Sequence, residues 1–453
     1  MIARARIAAY DILSAVSSGS ADLPTAIASA RAGLPDERDR ALASEIATGV
    51  QRTRAALDHL IATFSKRAID RLDPEVVEIL RLSTYQLLHL TRVPAAAVVD
   101  DAVDLAGRAG KRSASGFVNA VLRTVSRSRN ALPLPLRPGD PTDREAALAY
   151  FSVTLSHPRW LAARWLDRLG FDATEAWMQF DNGEAPLTLR ANQIRNTPRE
   201  LTEQLAADGI RVRPGRFAPD ALIVEEGHPL RGVGLDEGWF VVQDEASQLV
   251  SQLASAHLGA RVLDTCASPG GKTTAMAACM DAGALLVACD VRDRRINLLR
   301  KTVTASGASN VRFVQADLLK PLPFRAPFDG VLVDAPCSGL GTLRRDPDIR
   351  WRRREAELTS LAAAELTMLQ HAADAVAPGG RLIYSTCSGE PEENEGVVDA
   401  FLATTPGFTE INARVAAPTV NRAVIDARGH LRTEPHVHGL EAFFGAVLTR
   451  STT

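Results

Sequence analysis

The carboxyl half of the chain alternates short apolar runs with helical stretches, and this alternation restricts the fold more than any other feature. From residue 237 onward the runs are RVLD, ALLVACD, VRFVQAD, FDGVLVD and GRLIYSTC. Strands that alternate with helices predict βα units and a parallel sheet. Four of the five runs end in aspartate: Asp264, Asp290, Asp317 and Asp334. Any one of them could be a helix cap or turn residue. Four equivalent positions instead favour one cleft at the carboxyl ends of the strands, where such sheets bind ligands.

The loop after the first run has the composition of a ligand-binding turn. Its glycines allow a tight turn and a close backbone approach, and a helix should begin near Lys272. A phosphate-binding Walker loop is excluded, because that pattern requires glycine where this chain has Cys266. Asp290 lies at the end of the next strand, where carboxylates commonly bind ribose hydroxyls. The pattern therefore predicts a nucleoside cofactor, without distinguishing NAD from S-adenosylmethionine.

Two cysteines are expected at the same edge of the sheet. Cys337 follows Asp334 in the sequence, and Cys387 ends the fifth run. A lone cysteine is more often a small buried hydrophobe, which is our interpretation of Cys279 and Cys289. A thiolate beside a methyl donor suits methylation of cytosine, because addition of sulfur to carbon 6 makes carbon 5 nucleophilic. The target base would have to be unstacked, and Asp334 would stabilise the charge on its ring.

Composition limits the compartment and the metal content. The five cysteines are odd in number and form no CxxC pair, which argues against disulfides and against a zinc site. No apolar run reaches the roughly 18 residues of a membrane span. The amino terminus predicts an amphipathic helix rather than a signal peptide. Its apolar face would comprise Ala5, Ala8, Ala9, Ile12, Leu13 and Val16. We expect a cytoplasmic monomer that binds no metal.

The net charge limits how this chain can bind nucleic acid. At −2 it excludes a uniformly basic coat, so contacts must come from local patches. One candidate patch surrounds Trp351 and comprises Arg344, Arg345, Arg350, Arg352, Arg353 and Arg354. The other lies near the amino terminus and comprises Arg4, Arg6, Arg108, Lys111 and Arg112. The alternatives are a helix face packed by Trp351 for the first patch and a plain packing module for the second.

Pattern changes divide the chain into three parts. Residues 1–133 read as helices throughout and end before a proline-rich stretch, which cannot continue a helix. Residues 134–236 comprise this linker and a mixture of helical and strand-like segments, which predicts a small α+β domain. Residues 237–453 form the α/β part described above.

Three segments carry a resemblance to a known family. DTCASPGGKTT, DAPCSGLGTLRRDPDIRW and YSTCSGEPEENE resemble motifs of the bacterial RsmB group of RNA 5-methylcytosine methyltransferases. Residues 96–125 resemble the NusB antitermination fold. The resemblance implies a Rossmann-like class I methyltransferase domain, preceded by an all-α NusB-like RNA-binding domain and the small α+β domain. It implies S-adenosylmethionine as cofactor and RNA, not DNA, as partner. The implied substrate is 16S rRNA at the cytosine numbered 967 in bacteria.

The resemblance also implies roles for individual residues. Cys387 would be the nucleophile, Cys337 would assist product release, and Asp334 would lie near both cofactor and cytosine. The loop residues would surround the methionine part of the cofactor: Cys266, Ala267, Ser268, Pro269, Gly270, Gly271 and Lys272. Asp290 would hold the ribose, and Asp317 would reach the adenine side. Two alternatives are a non-catalytic RNA-binding factor with a relic methyltransferase domain, and a methyltransferase acting on another rRNA site or a tRNA.

Overall fold

The computed structural model describes residues 2–256, 258–281 and 283–452, which divide into two compact units. Unit 1 comprises Met1–Gly183 together with Leu343–Arg353. Unit 2 comprises Glu184–Thr342 and Arg354–Thr453. The three-part division expected from the sequence remains a prediction. In the part of the chain that the structure describes, no helix is long and apolar enough to cross a membrane.

Unit 1 is helical, including residues 1–133, where the sequence predicts helices throughout. The predicted apolar face of the first helix is buried, so the amphipathic helix is confirmed. Side-chain caps fix some helix starts; Asp22, for example, accepts a hydrogen bond from Thr25 N at 2.8 Å. The helices are α1 (Arg4–Ser17), α2 (Leu23–Gly33), α3 (Glu37–Ser65), α4 (Pro74–His89), α5 (Ala95–Arg108), α6 (Ser115–Ser128), α7 (Arg144–Ala149), α8 (Arg159–Leu169) and α9 (Phe171–Asp181).

Unit 2 begins with a small antiparallel sheet and one helix. The sheet has the strand order β2-β3-β1-β4. A capping box starts the helix, because Thr197 and Glu200 each bind the other's backbone N–H. The mixed α and β content expected here is therefore present. The elements are β1 (Thr188–Ala191), α10 (Pro198–Ala207), β2 (Arg211–Pro214), β3 (Ala221–Glu226) and β4 (Phe240–Val242).

The rest of unit 2 surrounds an eight-stranded sheet. Its main path runs β10-β12-β9-β8-β5-β6-β7, and β11 pairs with β12. Strands β5 to β9 pair with one another in parallel. Strand β12 pairs antiparallel with β9, β10 and β11. The elements are α11 (Glu245–Ser255), β5 (Arg261–Asp264), α12 (Gly271–Cys279), β6 (Leu285–Asp290), α13 (Asp293–Ser306), β7 (Val311–Gln315), β8 (Phe328–Asp334), α14 (Ile349–Arg352, within unit 1), α15 (Glu357–Asp374), β9 (Val376–Thr386), α16 (Glu395–Thr404), β10 (Phe408–Ile411), α17 (Ala413–Ala416), β11 (Leu431–Thr433), α18 (Pro435–His438) and β12 (Phe443–Arg450).

The five predicted runs are the five parallel strands β5 to β9, so the α/β prediction is confirmed. Three of the aspartates end their strands as expected, whereas Asp317 lies two residues beyond the end of β7. Two apolar clusters pack against the sheet. One contains the helices α11, α12 and α13, and the other contains the helices α15 and α16. The strands contribute side chains to both clusters, so the sheet is buried and its polar residues collect at the strand ends.

Candidate active site at the carboxyl ends of the strands

The turn between β5 and α12 is held by the neighbouring strand and by a glycine. Thr265 N donates a hydrogen bond of 3.0 Å to Leu332 O on β8. Gly270 has φ +110°, and a Cβ there would lie 3.1 Å from the Leu299 side chain. Only glycine suits both the backbone angle and this close packing. The predicted cofactor-loop residues all lie in this turn or at the start of α12: Cys266, Ala267, Ser268, Pro269, Gly270, Gly271 and Lys272.

Asp264 is a buried carboxyl at the start of this turn. Its Oδ2 accepts a hydrogen bond of 2.7 Å from Thr273 Oγ1, while its Oδ1 is buried without a hydrogen-bond partner. Burial raises the pKa of Asp264 to about 7, and the nearby Asp334 charge adds to the rise. A cationic group bound beside Asp264 would offset this penalty and favour the carboxylate.

Asp290 closes the turn from the next strand. Its carboxylate accepts hydrogen bonds from Ser268 N at 3.2 Å and from Val291 N at 2.8 Å. Arg295 Nε lies 3.0 Å from the same carboxylate, and Arg295 Nη2 donates to Ser268 O at 3.0 Å. Asp290 therefore joins the turn to α13. Asp317 does not join this network; its Oδ1 accepts a bond from Leu319 N at 3.1 Å in its own loop.

The two predicted cysteines are brought together. Cys337 Sγ and Cys387 Sγ lie 3.3 Å apart, and both residues are half-buried free thiols. The hydrogen bond to Cys387 and burial raise the pKa of Cys337 well above its usual value. Cys337 therefore keeps its proton at neutral pH, and either sulfur can donate in the contact between them. Cys289 is buried in β6 as expected, but Cys279 is exposed at the end of α12 because its helix face is not covered.

A lysine and an aspartate lie beside this pair. Lys272 Nζ is 2.7 Å from Asp334 Oδ2, and Ser385 Oγ donates to Asp334 Oδ1 at 2.9 Å. Burial alone would lower the pKa of Lys272, but the Asp334 carboxylate outweighs burial and the net shift is upward. The charge of Cys387 contributes in the same direction. Lys272 thus stays an ammonium group close to the sulfur that can become a thiolate.

Comparisons with known proteins place this geometry in a family. Family models match residues 3–127 (NusB family), 157–231 (ferredoxin-like domain of RsmF/B-like methyltransferases) and 252–449 (16S rRNA methyltransferase RsmB/F). Ribosomal RNA small subunit methyltransferase B of Pseudomonas putida is 34% identical over 91% of this chain and 92% of its own length. A Bacillus subtilis protein named "Probable ribosomal RNA small subunit methyltransferase B" is 32% identical over 90% of each chain.

The chain belongs to the RsmB/F family of 16S rRNA methyltransferases.

Solved structures share the fold of the RsmB/F chain. The crystal structure of PH0851 has a TM-score of 0.78 and 25% identity, and the match covers 99% of both chains. NSun6 from Pyrococcus horikoshii with SFG has a TM-score of 0.57 and 18% identity over 65% of this chain and 98% of its own. This second likeness shows the fold alone. The NusB-like helical domain and the Rossmann-like methyltransferase domain expected from the sequence are thus confirmed, and the domain expected as a small α+β domain is ferredoxin-like.

The predicted RNA-binding patch around Trp351 is wrong at Arg350, which unit 1 buries, and Trp351 itself is half-buried. Arg350 is fully buried and donates to Ser156 O at 3.0 Å and to Asn182 Oδ1 at 2.9 Å. Trp351 Nε1 donates to Gln51 O at 2.7 Å. Neither side chain is exposed for phosphate contact or base stacking. Exposed arginines remain in this segment at positions 352 and 354.

The amino-terminal patch also needs correction. Arg6 is buried and forms an ion pair with Asp101, so it cannot contact RNA. Lys111 is half-buried and lies 3.1 Å from Asp73. Arg4, Arg108 and Arg112 are exposed.

Two features of the RsmB/F site were missed by the sequence analysis. Lys272 was assigned only to the cofactor loop, although it pairs with Asp334 from a strand 62 residues away. Glu393 was not singled out, yet it is fully buried and hydrogen-bonds both cysteine loops. The PEENE run contains it, and buried glutamates cannot be distinguished from exposed ones by composition. The only available signal was that this acidic run follows Cys387 directly.

Proposed function

We propose that this chain transfers a methyl group from S-adenosylmethionine to carbon 5 of a cytosine in 16S rRNA, the cytosine 967 type. The observation that carries the proposal is the cysteine pair, with sulfurs 3.3 Å apart, beside the Lys272–Asp334 ion pair. Methylation of an oxygen or an exocyclic amine needs no thiol. Covalent activation of a pyrimidine ring requires a thiol that attacks carbon 6 and a charged group beside it, and the cysteine pair and the Lys272–Asp334 ion pair can supply both.

The residues present fit S-adenosylmethionine. Asp264 is a buried carboxyl with an unsatisfied oxygen, and a positively charged methionine part would favour its ionised form. Gly270 gives the turn the backbone angle and the close packing against Leu299 that hold the loop in place. Asp290 would hold the ribose and Asp317 the adenine side, with the turn residues 266–272 around the methionine part. SFG, an analogue of S-adenosylmethionine, accompanies the related fold of NSun6. When bound, the cofactor supplies an electrophilic methyl group.

Each side chain of the site then has a defined part. The Cys387 thiolate forms a bond to cytosine carbon 6, and the electron pair of the 5,6 double bond becomes available at carbon 5. Asp334 binds the N3 and N4 edge of the base, where charge builds. Carbon 5 takes the methyl group, a base removes its proton, and the sulfur–carbon bond breaks as the double bond returns. Cys337 assists this release by holding a proton next to the departing Cys387 sulfur.

RNA binding and catalysis would belong to different domains. We propose an amino-terminal RNA-binding domain over 1–133, a linker and small α+β domain over 134–236, and a catalytic domain over 237–453. The NusB-family match at residues 3–127 supports the first of these. The exposed Arg4, Arg108 and Arg112 are its candidate phosphate contacts.

Trapping the covalent intermediate tests the chemistry. The full chain is incubated with 16S rRNA and radiolabelled S-adenosylmethionine, and the products are separated on a denaturing gel. Cys337→Ala should accumulate a protein–RNA adduct, because release is slowed after methylation. Cys387→Ser should give neither adduct nor methylation. Cys279→Ser, the same substitution at an exposed thiol, is the matched control and should behave as wild type.

Three results would contradict the proposal. An adduct with Cys387→Ser but not with Cys337→Ala would exchange the roles of the two cysteines. A methyl group found elsewhere than cytosine carbon 5, after nuclease digestion and mass spectrometry, would refute the reaction. Methylation of tRNA in place of 16S rRNA would refute the substrate.

A further inference from the structure

One buried carboxylate contacts both cysteine loops. Glu393 Oε1 accepts a hydrogen bond of 2.6 Å from Ser338 N. Glu393 Oε2 accepts bonds of 2.6 Å from Ser338 Oγ and 2.5 Å from Ser388 Oγ. Ser338 follows Cys337, and Ser388 follows Cys387, so the two Cys-Ser dipeptides have the same relation to Glu393. The two serine hydroxyls lie 3.3 Å apart, the same separation as the two sulfurs.

The position of Glu393 is itself fixed by the end of β9. Tyr384 OH donates to Glu393 O at 2.6 Å. The next residue, Asn394, accepts a bond of 2.5 Å from Thr386 Oγ1 and donates to Ser388 O at 3.0 Å. These groups are fully buried, so the carboxylate cannot move without breaking several hydrogen bonds that water does not replace.

The placement costs stability, which indicates a use beyond packing. A buried carboxylate loses its hydration, and ion pairing is the usual compensation. Among the residues that the structure describes, no Lys, Arg or His forms an ion pair with Glu393. Its side-chain partners are the two serines and Glu365, which is a neutral donor. Because Ser338 and Ser388 both donate to this rigidly held carboxylate, Glu393 sets the distance between the two cysteine loops.

The charge of Glu393 acts on the sulfur of Cys337. The hydrogen bond to Cys387 and burial are the main causes that raise the pKa of Cys337, and the carboxylates of Glu393 and Glu365 raise it further. The titratable groups near the pair come from several elements: Lys272 on α12, Asp334 at the end of β8, Glu365 on α15, Tyr384 on β9 and Glu393 before α16. Burial, followed by the charge of Glu393, raises the pKa of Glu365 to about 9, so Glu365 is neutral at pH 7.

We propose that Glu393 is a positioning residue that holds the two cysteine loops in register, with Cys387 as the nucleophile and Cys337 beside it. The inference rests on the proposed function for its catalytic meaning, but its structural content does not. Glu393 touches neither the reacting base nor the cofactor in this scheme; it acts through Ser338 and Ser388.

Glu393→Gln separates the charge from the contacts. The amide retains one acceptor oxygen for Ser338 N, and its NH₂ can donate to the rotatable serine hydroxyls. The pH dependence of iodoacetamide alkylation is measured for each cysteine of the full chain by mass spectrometry. Without the negative charge, Cys337 should be alkylated about threefold or more faster at pH 8, because its thiolate is less disfavoured. Methylation of 16S rRNA in a single turnover should fall about tenfold or more.

The matched control is Glu395→Gln, the same substitution two residues along. Glu395 pairs with Arg432 at 2.7 Å and should leave both alkylation profiles and methylation unchanged. Because Glu393→Gln could fail to fold, Ser338→Ala/Ser388→Ala is measured in parallel, with thermal unfolding monitored for every variant. It removes both hydroxyl contacts and should also slow methylation about tenfold.

The outcomes separate this inference from the proposed function. A folded Glu393→Gln with wild-type alkylation of Cys337 and wild-type methylation overturns the inference, and so does a serine double variant that methylates normally. If the wild-type chain forms no 5-methylcytosine but Glu393→Gln shifts the alkylation of Cys337, the proposed function fails and the positioning role stands.

Discussion

Gly341→Ala should disable the active site more than it destabilises the fold. Gly341 lies between the two halves of the site: its N–H donates to Cys387 O at 3.0 Å, and its carbonyl accepts from Ala442 N at 2.9 Å. A Cβ at this position would lie 2.0 Å from Ala442 O and 2.8 Å from Cys387 O. Both are backbone atoms, so neither can rotate away.

The required movement sets the magnitude. Ordinary contact begins at 3.4 Å, so the carbonyl of Ala442 would have to recede by about 1.4 Å and that of Cys387 by about 0.6 Å. Overpacking of this kind costs about 1–3 kcal/mol, and weakening the two hydrogen bonds adds about 1 kcal/mol. The free energy of unfolding should therefore fall by about 2–4 kcal/mol. Displacing the nucleophile by even part of 1 Å can reduce the rate about 100-fold.

Urea unfolding and single-turnover methylation of 16S rRNA measure the two effects separately. The alanine variant should retain a cooperative transition at 25 °C while methylation falls about 100-fold. Gly330→Ala in β8 is the matched control, since its Cβ would meet its nearest neighbours at 3.9 and 4.0 Å. A folded Gly341→Ala variant with wild-type methylation would refute the argument that the position of Cys387 depends on this contact.

Two further predictions concern buried polar groups. In the cofactor-free chain, burial raises the pKa of Asp264 from 3.8 to about 7. The folded chain therefore binds this proton more tightly than the unfolded chain does. The resulting contribution to the free energy of unfolding is complete below about pH 4 and is lost as the pH rises through 7. Asp264→Asn should remove this loss, which is on the order of 2–4 kcal/mol. The unfolding free energies of the variant and the wild type are compared from pH 4 to 8. A difference between them that stays constant over this range would contradict the prediction. Trp351→Phe loses the 2.7 Å hydrogen bond to Gln51 O and should lower the stability of unit 1 by about 1 kcal/mol in urea unfolding. It should leave RNA affinity and its salt dependence unchanged, whereas weaker binding would restore a stacking role for Trp351.

The sequence predicted those parts of the site that follow from strand periodicity. Asp264, Asp290 and Asp334 end parallel strands because apolar runs identify the strands, and strand ends share an edge. The same reasoning brought Cys337 and Cys387 to one place. The turn at Gly270 was predictable because the required backbone angle favours glycine.

The partners of these residues could not be predicted in the same way. Lys272 reaches Asp334 across 62 residues, and the direction of a long side chain is decided by packing rather than by local sequence. Arg350 and Trp351 had the composition of an RNA-binding patch, but Arg350 is buried within unit 1 and Trp351 donates a hydrogen bond to Gln51 O. Glu393 was hidden in an acidic run, because a charged residue is usually exposed and only tertiary structure reveals the exception.

Residues 343–353 lie within unit 1, although the chain on either side of them belongs to unit 2. During synthesis, the amino-terminal helices leave the ribosome long before Arg350 and Trp351 do, so they must wait with the acceptors Ser156 O, Asn182 Oδ1 and Gln51 O unsatisfied by these donors. The packing of the amino-terminal helices is therefore completed only after residues 343–353 have been synthesised. A fragment that begins at residue 184 would in turn expose the buried guanidinium of Arg350 and the half-buried indole of Trp351, and it should be prone to aggregation.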